Sequence, residues 1–276
     1  MKIDENKTEI LKAFDIYRNI VFATDTDLSF WKSFLDTSIN SYKINNPNQV
    51  GLYEAGFYVY EYNSKYNGLL KGHQKSRSIE TSNLETYKND FISWISNLAI
   101  LKIYNALENF ILQAIHIRYF PENKHAVGSK KAIDKLNNEI KTYLLDNNLS
   151  IDTKNNRHII QFLKNKSSNV TIFLEHRMNI DITTNWENFF ELISILRNVV
   201  AHQGTIVSLD TQNEIKSKAK DIFQRHFSIN QDEIGLWHLQ PNNQQYAGFI
   251  SYFNSLSLHI VQCMFDENDL KFLGMN

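Results

Sequence analysis

The segment Arg197-Asn198-Val199-Val200-Ala201-His202 puts a guanidinium, an amide and an imidazole into six consecutive residues. An imidazole changes charge near neutral pH, so it can take or give a proton during a reaction. A guanidinium grips a phosphate through paired hydrogen bonds and offsets the charge that develops on it. Those two functions are what cleavage of a phosphodiester without a metal requires.

An element must hold these groups. Trp186, Phe189, Phe190, Ile193, Leu196 and Val200 recur at three- and four-residue steps, which predicts a helix from about Asn185 to His202. Asn185 is the candidate N-cap, Glu187 sits in the first turn, and Gly204 stands where a helix C-terminus is expected. Asn198 and His202 are four apart and stack one turn above each other, continuing a polar row through Glu187, Glu191 and Ser194. Arg197 and His202 are about 140° apart around an ideal helix. They converge only through the length of the arginine side chain, a helix end that loosens after Val200, or a second copy of the chain. The bland alternative is that both cations simply favour the negative end of the helix.

Other groups invite chemistry. Glu108 falls on or near the apolar face of its helix, among Leu101, Leu112 and Ile115, and a carboxylate there needs a partner. Arg197 is one candidate, which makes Glu108 a third member of the site; a structural ion pair or exposure at the stripe's edge is the other reading. Lys130, Lys131 and Arg157 lie in two basic helical segments that either track an RNA backbone or form solvated faces. The histidines show no metal-ligand spacing, and no phosphate loop, nucleophile elbow or dinucleotide fingerprint is present, so no metal and no cofactor is expected. Cys263, the single cysteine, reads as a small buried hydrophobe and excludes an intrachain disulfide framework.

The chain of 276 residues has 42% hydrophobic and 21% charged residues, enough for a sizeable core, and only 9 Gly and 3 Pro, which favours long helices. Its formal net charge of -1 excludes nucleic-acid binding by bulk charge alone. The periodicity predicts helices at 6–21 and 27–43 (Asp25 or Thr26 capping the second), 84–119, 129–146 with Ser129 as cap, 153–165, 212–227 and 243–265. A short strand-like piece is expected within Ser228 to Gln240, and the polar run Lys71 to Arg77 reads as a loop. That loop divides a helical N-terminal region, 1–80, from a helical domain over 81–276. The apolar stretch Phe91 to Ile117 is interrupted by Asn97, Lys102, Asn105, Glu108 and Asn109 and reads as a buried helix, not a membrane span. The N-terminus carries no secretory pattern, so a soluble cytoplasmic protein is expected.

The string Ile195 to His202 resembles the signature of the HEPN superfamily, in which an arginine and a polar residue precede a histidine at a helix end. Trp186-Glu187-Asn188-Phe189-Phe190 before it and Ala106-Leu107-Glu108-Asn109-Phe110 on the earlier long helix also look like that family, and the resemblance covers residues 81–265. It implies an all-α, HEPN-like bundle that forms a homodimer with two Arg/His pairs in a shared cleft. It implies metal-independent endoribonuclease activity leaving a cyclic phosphate and a 5′-hydroxyl, in a toxin or antiphage-defence effector, with an antitoxin or sensor protein as a further partner. On that resemblance His202 is the general acid/base, Arg197 binds the scissile phosphate and Asn198 orients either one. The alternative within the family is a catalytically inactive module that binds RNA, nucleotide or a protein.

Overall fold

A computed structural model describes residues 2–62, 70–121 and 130–265. The chain is predominantly helical. It opens with α1 (Lys2–Asn45), followed by the strands β1 (Val50–Tyr62) and β2 (Leu70–Glu80) and the long helix α2 (Leu84–Tyr119). Then come α3 (Lys130–Asp146), α4 (Arg157–Lys166), α5 (Ser168–Glu175), β3 (Arg177–Asn179), β4 (Ile182–Asn185) and α6 (Trp186–Gln203). The chain continues with α7 (Leu209–His226), β5 (Phe227–Gln231), β6 (Trp237–Pro241) and α8 (Tyr246–Phe265). Among the described residues the strands form three separate two-stranded antiparallel pairs, β1–β2, β3–β4 and β5–β6.

The expectation of a mainly helical chain holds, and the strand-like piece expected within 228–240 is the β5–β6 hairpin; the all-α expectation is corrected at β1–β2 and β3–β4. The largest is β1–β2, whose register runs from Val50 opposite Glu80 to Tyr62 opposite Leu70. It replaces the helical region expected before residue 80, and the basic run Lys71–Arg77 is strand, not loop. Residues 50–60 are rich in tyrosine, phenylalanine and valine, types that favour a strand, and glycines at 51 and 56 disfavour a helix. The two helices expected at the N-terminus are one. Thr24 Oγ1 and Thr26 Oγ1 donate back to the carbonyls of Ile20 and Phe22, at 2.6 and 2.9 Å, so Thr26 lies inside a continuous helix and caps nothing. Ser129, the expected cap of α3, lies outside the described residues.

The contacts divide the chain into two units, Met1–Leu28 with Ile95–Asn276, and Ser29–Trp94. Within the smaller unit, Lys88 bonds Asp36 and Glu85, and Arg77 stacks over the ring of Tyr87 at 4.4 Å. The larger unit holds the core. Tyr17 of α1 stacks on Phe110 of α2 with centroids 5.3 Å apart, and Phe189 of α6 meets Phe249 and Phe253 of α8 edge-on. Residues Thr81–Tyr119 include a window apolar and long enough to cross a membrane by composition, and 61% of that window is buried inside the protein.

Candidate functional site

The helix α6 is fixed at both ends by its own sequence. Asn185 Oδ1 accepts the backbone N–H of Asn188 at 2.8 Å, which satisfies one of the free donors of the first turn. The helix stays regular to Gln203 and stops at Gly204, whose φ of +69° suits a residue without a Cβ. The apolar stripe expected on it is buried, with Phe189, Ile193 and Leu196 fully enclosed.

The polar row of α6 is enclosed along most of its length. Glu187 takes an ion pair from Lys164 at 2.8 Å. Glu191 is buried and holds Arg157 on one oxygen, at 3.0 and 2.8 Å, and Lys218 on the other at 3.1 Å. Ser194 accepts the phenolic proton of Tyr104 at 3.1 Å. Asn198 donates to Asn155 Oδ1 at 3.3 Å and accepts from Arg197 Nη1 at 2.9 Å. Glu187 and Asn198 are half-buried, and His202 at the end of the row is exposed and without a hydrogen bond or ion pair among the described residues.

A left-handed turn links this row to α2. Asn155 and Asn156 both have positive φ, 51° and 59°, a conformation asparagine tolerates better than most residues. Asn156 Nδ2 donates to both Tyr104 Oη and Glu108 Oε1 at 2.5 Å. Asn155 faces the other way, donating to Glu214 Oε1 at 3.0 Å and accepting from Asn198. Burial pushes the Tyr104 phenol well above its ordinary range, and the nearby Glu108 charge adds to the shift, so Tyr104 remains a proton donor to Ser194.

These contacts decide where the expected site residues stand. Arg197 and Asn198 are joined directly. The Arg197 guanidinium also lies over the Tyr104 ring at 5.8 Å, and its Nε is buried with no acceptor. Glu108 enters the same cluster through Asn156 and Tyr104. It makes no ion pair with Arg197 among the described residues, so the expected pairing is corrected to a shared neighbour. Because α6 does not loosen after Val200, nothing in the helix brings His202 round to Arg197.

Of the residues expected to touch RNA, Arg157 is not a free cation. It is held by Asp152, Glu191 and Glu214 at 2.9, 2.8 and 3.3 Å, and those carboxylates keep it firmly charged. Lys131 is exposed on α3. Lys130 opens the same helix, and its side chain lies outside the described residues.

Sequence reasoning missed a second imidazole beside the motif. Thr205 Oγ1 lies 3.0 Å from His238 Nδ1, and His238 Nε2 lies 2.8 Å from Asp232 Oδ2. Asp232 Oδ1 also accepts the backbone N–H groups of Ile234 and Leu236, so the carboxylate closes the β5–β6 loop and orients the ring. The chain after α6 is tied to β6 by bonds from Val207 N to Trp237 O and from Leu239 N to Thr205 O, both 2.8 Å. Thr205 is three residues after His202, which bounds their separation along the chain at about 10 Å. The hairpin was legible as strand-like; the pairing that sets His238 against Thr205 was not.

Comparison with family models, curated proteins and solved structures returns no match.

Proposed function

We propose that this chain is a metal-independent endoribonuclease of HEPN type, acting as a homodimer in which Arg197 of one copy and His202 of the other serve one scissile phosphate. The observation that carries this reading is the contrast between the two residues. Arg197 is positioned by Asn198 and by the Tyr104 ring, and its Nε is buried without an acceptor. His202 ends a regular helix, exposed and uncommitted among the described residues. A fixed anion-binding group and an accessible imidazole suit phosphate binding and proton transfer. Their divergence around the helix favours a second copy as the source of the complementary group.

In the reaction, His202 takes the proton of the ribose 2′-hydroxyl, whose oxygen then attacks the adjacent phosphorus. The phosphorus–5′-oxygen bond breaks, leaving a 2′,3′-cyclic phosphate, and the proton taken up by His202 is passed to the leaving oxygen, which becomes a 5′-hydroxyl. Arg197 offsets the charge that builds on the non-bridging oxygens. A role as a toxin or defence effector, with a separate antitoxin or sensor partner, follows from the same reading.

A second reading is a catalytically silent module that binds RNA, nucleotide or protein. It is favoured by the satisfaction of Asn198 and Glu108 within the protein's own network. Total RNA incubated with the pure protein in excess chelator separates the two. Cleavage that disappears in both Arg197→Ala and His202→Ala supports the enzyme; absence of cleavage, or equal cleavage by the variants, supports the module.

A further inference from the structure

We propose that the cleft between α7 and the β5–β6 hairpin is a binding site for a small aromatic anion of the nucleoside-monophosphate class. This site is separate from Arg197 and His202 and does not depend on the ribonuclease reading.

The cleft encloses about 460 Å³, within the range of small-ligand pockets. Its floor is aromatic: Phe223 and Phe227 are buried, and their rings stack with centroids 5.6 Å apart. Trp237 lines the cleft and keeps 40% of its surface exposed, so its indole offers a face on which a flat ring can stack.

The polar groups select the charge of that partner. Lys216 and Lys220 line the cleft, four residues apart on α7, exposed and without a carboxylate partner among the described residues. Two uncompensated ammonium groups beside one cleft favour an anionic occupant over a neutral or cationic one. No acidic residue among the described ones lines the cleft. Elsewhere on α7 the pattern differs: Lys218 is paired with Glu191. Between the two free lysines, Ala219 leaves helical geometry, with φ −146° and ψ 48°, so the helix bends where it borders the cleft.

One further group asks for an acceptor. Gln212 also lines the cleft and is 7% exposed, and its Nε2 is buried with no hydrogen-bond partner. A buried amide donor left unsatisfied is costly, and a carbonyl or ring nitrogen would relieve it. A nucleobase offers both such acceptors and a face that stacks on an indole. Its 5′-phosphate supplies the charge that Lys216 and Lys220 meet. Free nucleoside monophosphate and the 5′-phosphorylated end of an RNA share this chemistry.

The test is calorimetric titration of the full chain with AMP, with a short 5′-phosphorylated oligoribonucleotide, and with inorganic phosphate. Saturable binding of AMP or of the oligonucleotide is expected, and the tighter of the two identifies the source of the ligand. Phosphate alone should bind at least about tenfold more weakly, since it lacks the stacking surface. Lys216→Ala/Lys220→Ala, which alters only exposed side chains, should weaken binding at least about tenfold. Gln212→Leu should do the same with an unchanged circular dichroism spectrum. His202→Ala should bind AMP as the parent does, which separates this site from the motif helix. Absence of saturable binding, equal binding of phosphate alone, no change in the lysine double variant, or loss of binding in His202→Ala overturns the proposal.

Discussion

Asn155 Oδ1 accepts a hydrogen bond from Asn198 Nδ2 at 3.3 Å, and through it a left-handed turn before α4 sets the side chain that in turn holds Arg197. The amide of Asn198 is thereby oriented: its nitrogen points to the turn and its oxygen to the guanidinium. Asn155 is a positioning residue under the proposed reaction. Asn155→Gly preserves the backbone conformation and deletes both side-chain bonds. The loss of a positioning hydrogen bond of about 1–2 kcal/mol predicts a fall of roughly 5- to 30-fold in kcat for RNA cleavage, with KM little changed. Steady-state kinetics on a defined oligoribonucleotide provide the check, and an unchanged kcat would show that the turn only stabilises the fold.

Arg157 separates a structural role from an RNA-contacting one. Its partner Glu191 has a side chain only 4% exposed, and removing one partner of a buried pair leaves a charge that water cannot reach. Lys218 still holds the other oxygen of Glu191, so the loss falls short of a fully orphaned carboxylate. Arg157→Ala is expected to lower stability by about 2–3 kcal/mol, or roughly 4–10 °C in Tm. Arg157→Met with Glu191→Leu should recover much of that loss. Thermal melts of the three proteins test this. A variant that melts like the parent but binds RNA with a shallower salt dependence would return Arg157 to the RNA-facing role.

How much of this was legible in the sequence differs by element. The helix α6 was, because its determinants are local: Asn185 at the start, Gly204 at the end and an apolar stripe between them. The polar row from Glu187 to His202 was legible as a row. Its burial was not, because that depends on Arg157, Lys218 and Tyr104 arriving from other elements. Asn155 and Asn156 look in sequence like any two asparagines in an Asn-rich chain, and only packed neighbours reveal which pair is left-handed. The β1–β2 hairpin was missed because its tyrosines and glycines carry weak period-two patterning, and α1 was split because Asp25 and Thr26 resemble a cap until the Thr26 hydroxyl is seen bonding backwards. The apolar pattern that placed α2 was correct for its bounds, yet it could not say that Glu108 would face Asn156 instead of Arg197.

His158 makes stability sensitive to acid. It is buried, with Nε2 3.2 Å from Asn137 Oδ1 and Nδ1 without a partner. Burial, with a smaller contribution from Lys141, lowers its pKa from the ordinary 6.5 to about 4. Between those values the unfolded chain binds a proton that the folded chain refuses. The associated stability is fully present above pH 6.5 and is lost as pH falls toward 4. His226 is lowered by burial in the same direction and adds to the loss. Denaturant titrations at pH 7 and pH 4.5 should therefore show a smaller drop in stability for His158→Gln than for the parent. An equal drop in both would show that other groups govern the acid limb.

The division of labour between Arg197 and His202 leads to a mixing experiment. Arg197→Ala and His202→Ala are each expected to be inactive alone, with loss of at least about a hundredfold in kcat/KM. If one site draws its arginine and histidine from different copies, a heterodimer of the two variants contains one site with both lesions and one with neither. Co-refolding equal amounts of the two makes half of the dimers mixed, so about a quarter of the parent activity should return. If both residues serve the same site from one chain, every site in the mixture carries a lesion and no activity returns. The recovered fraction thus reads out directly whether the regular end of α6, which keeps the two side chains apart in one copy, is completed by a second.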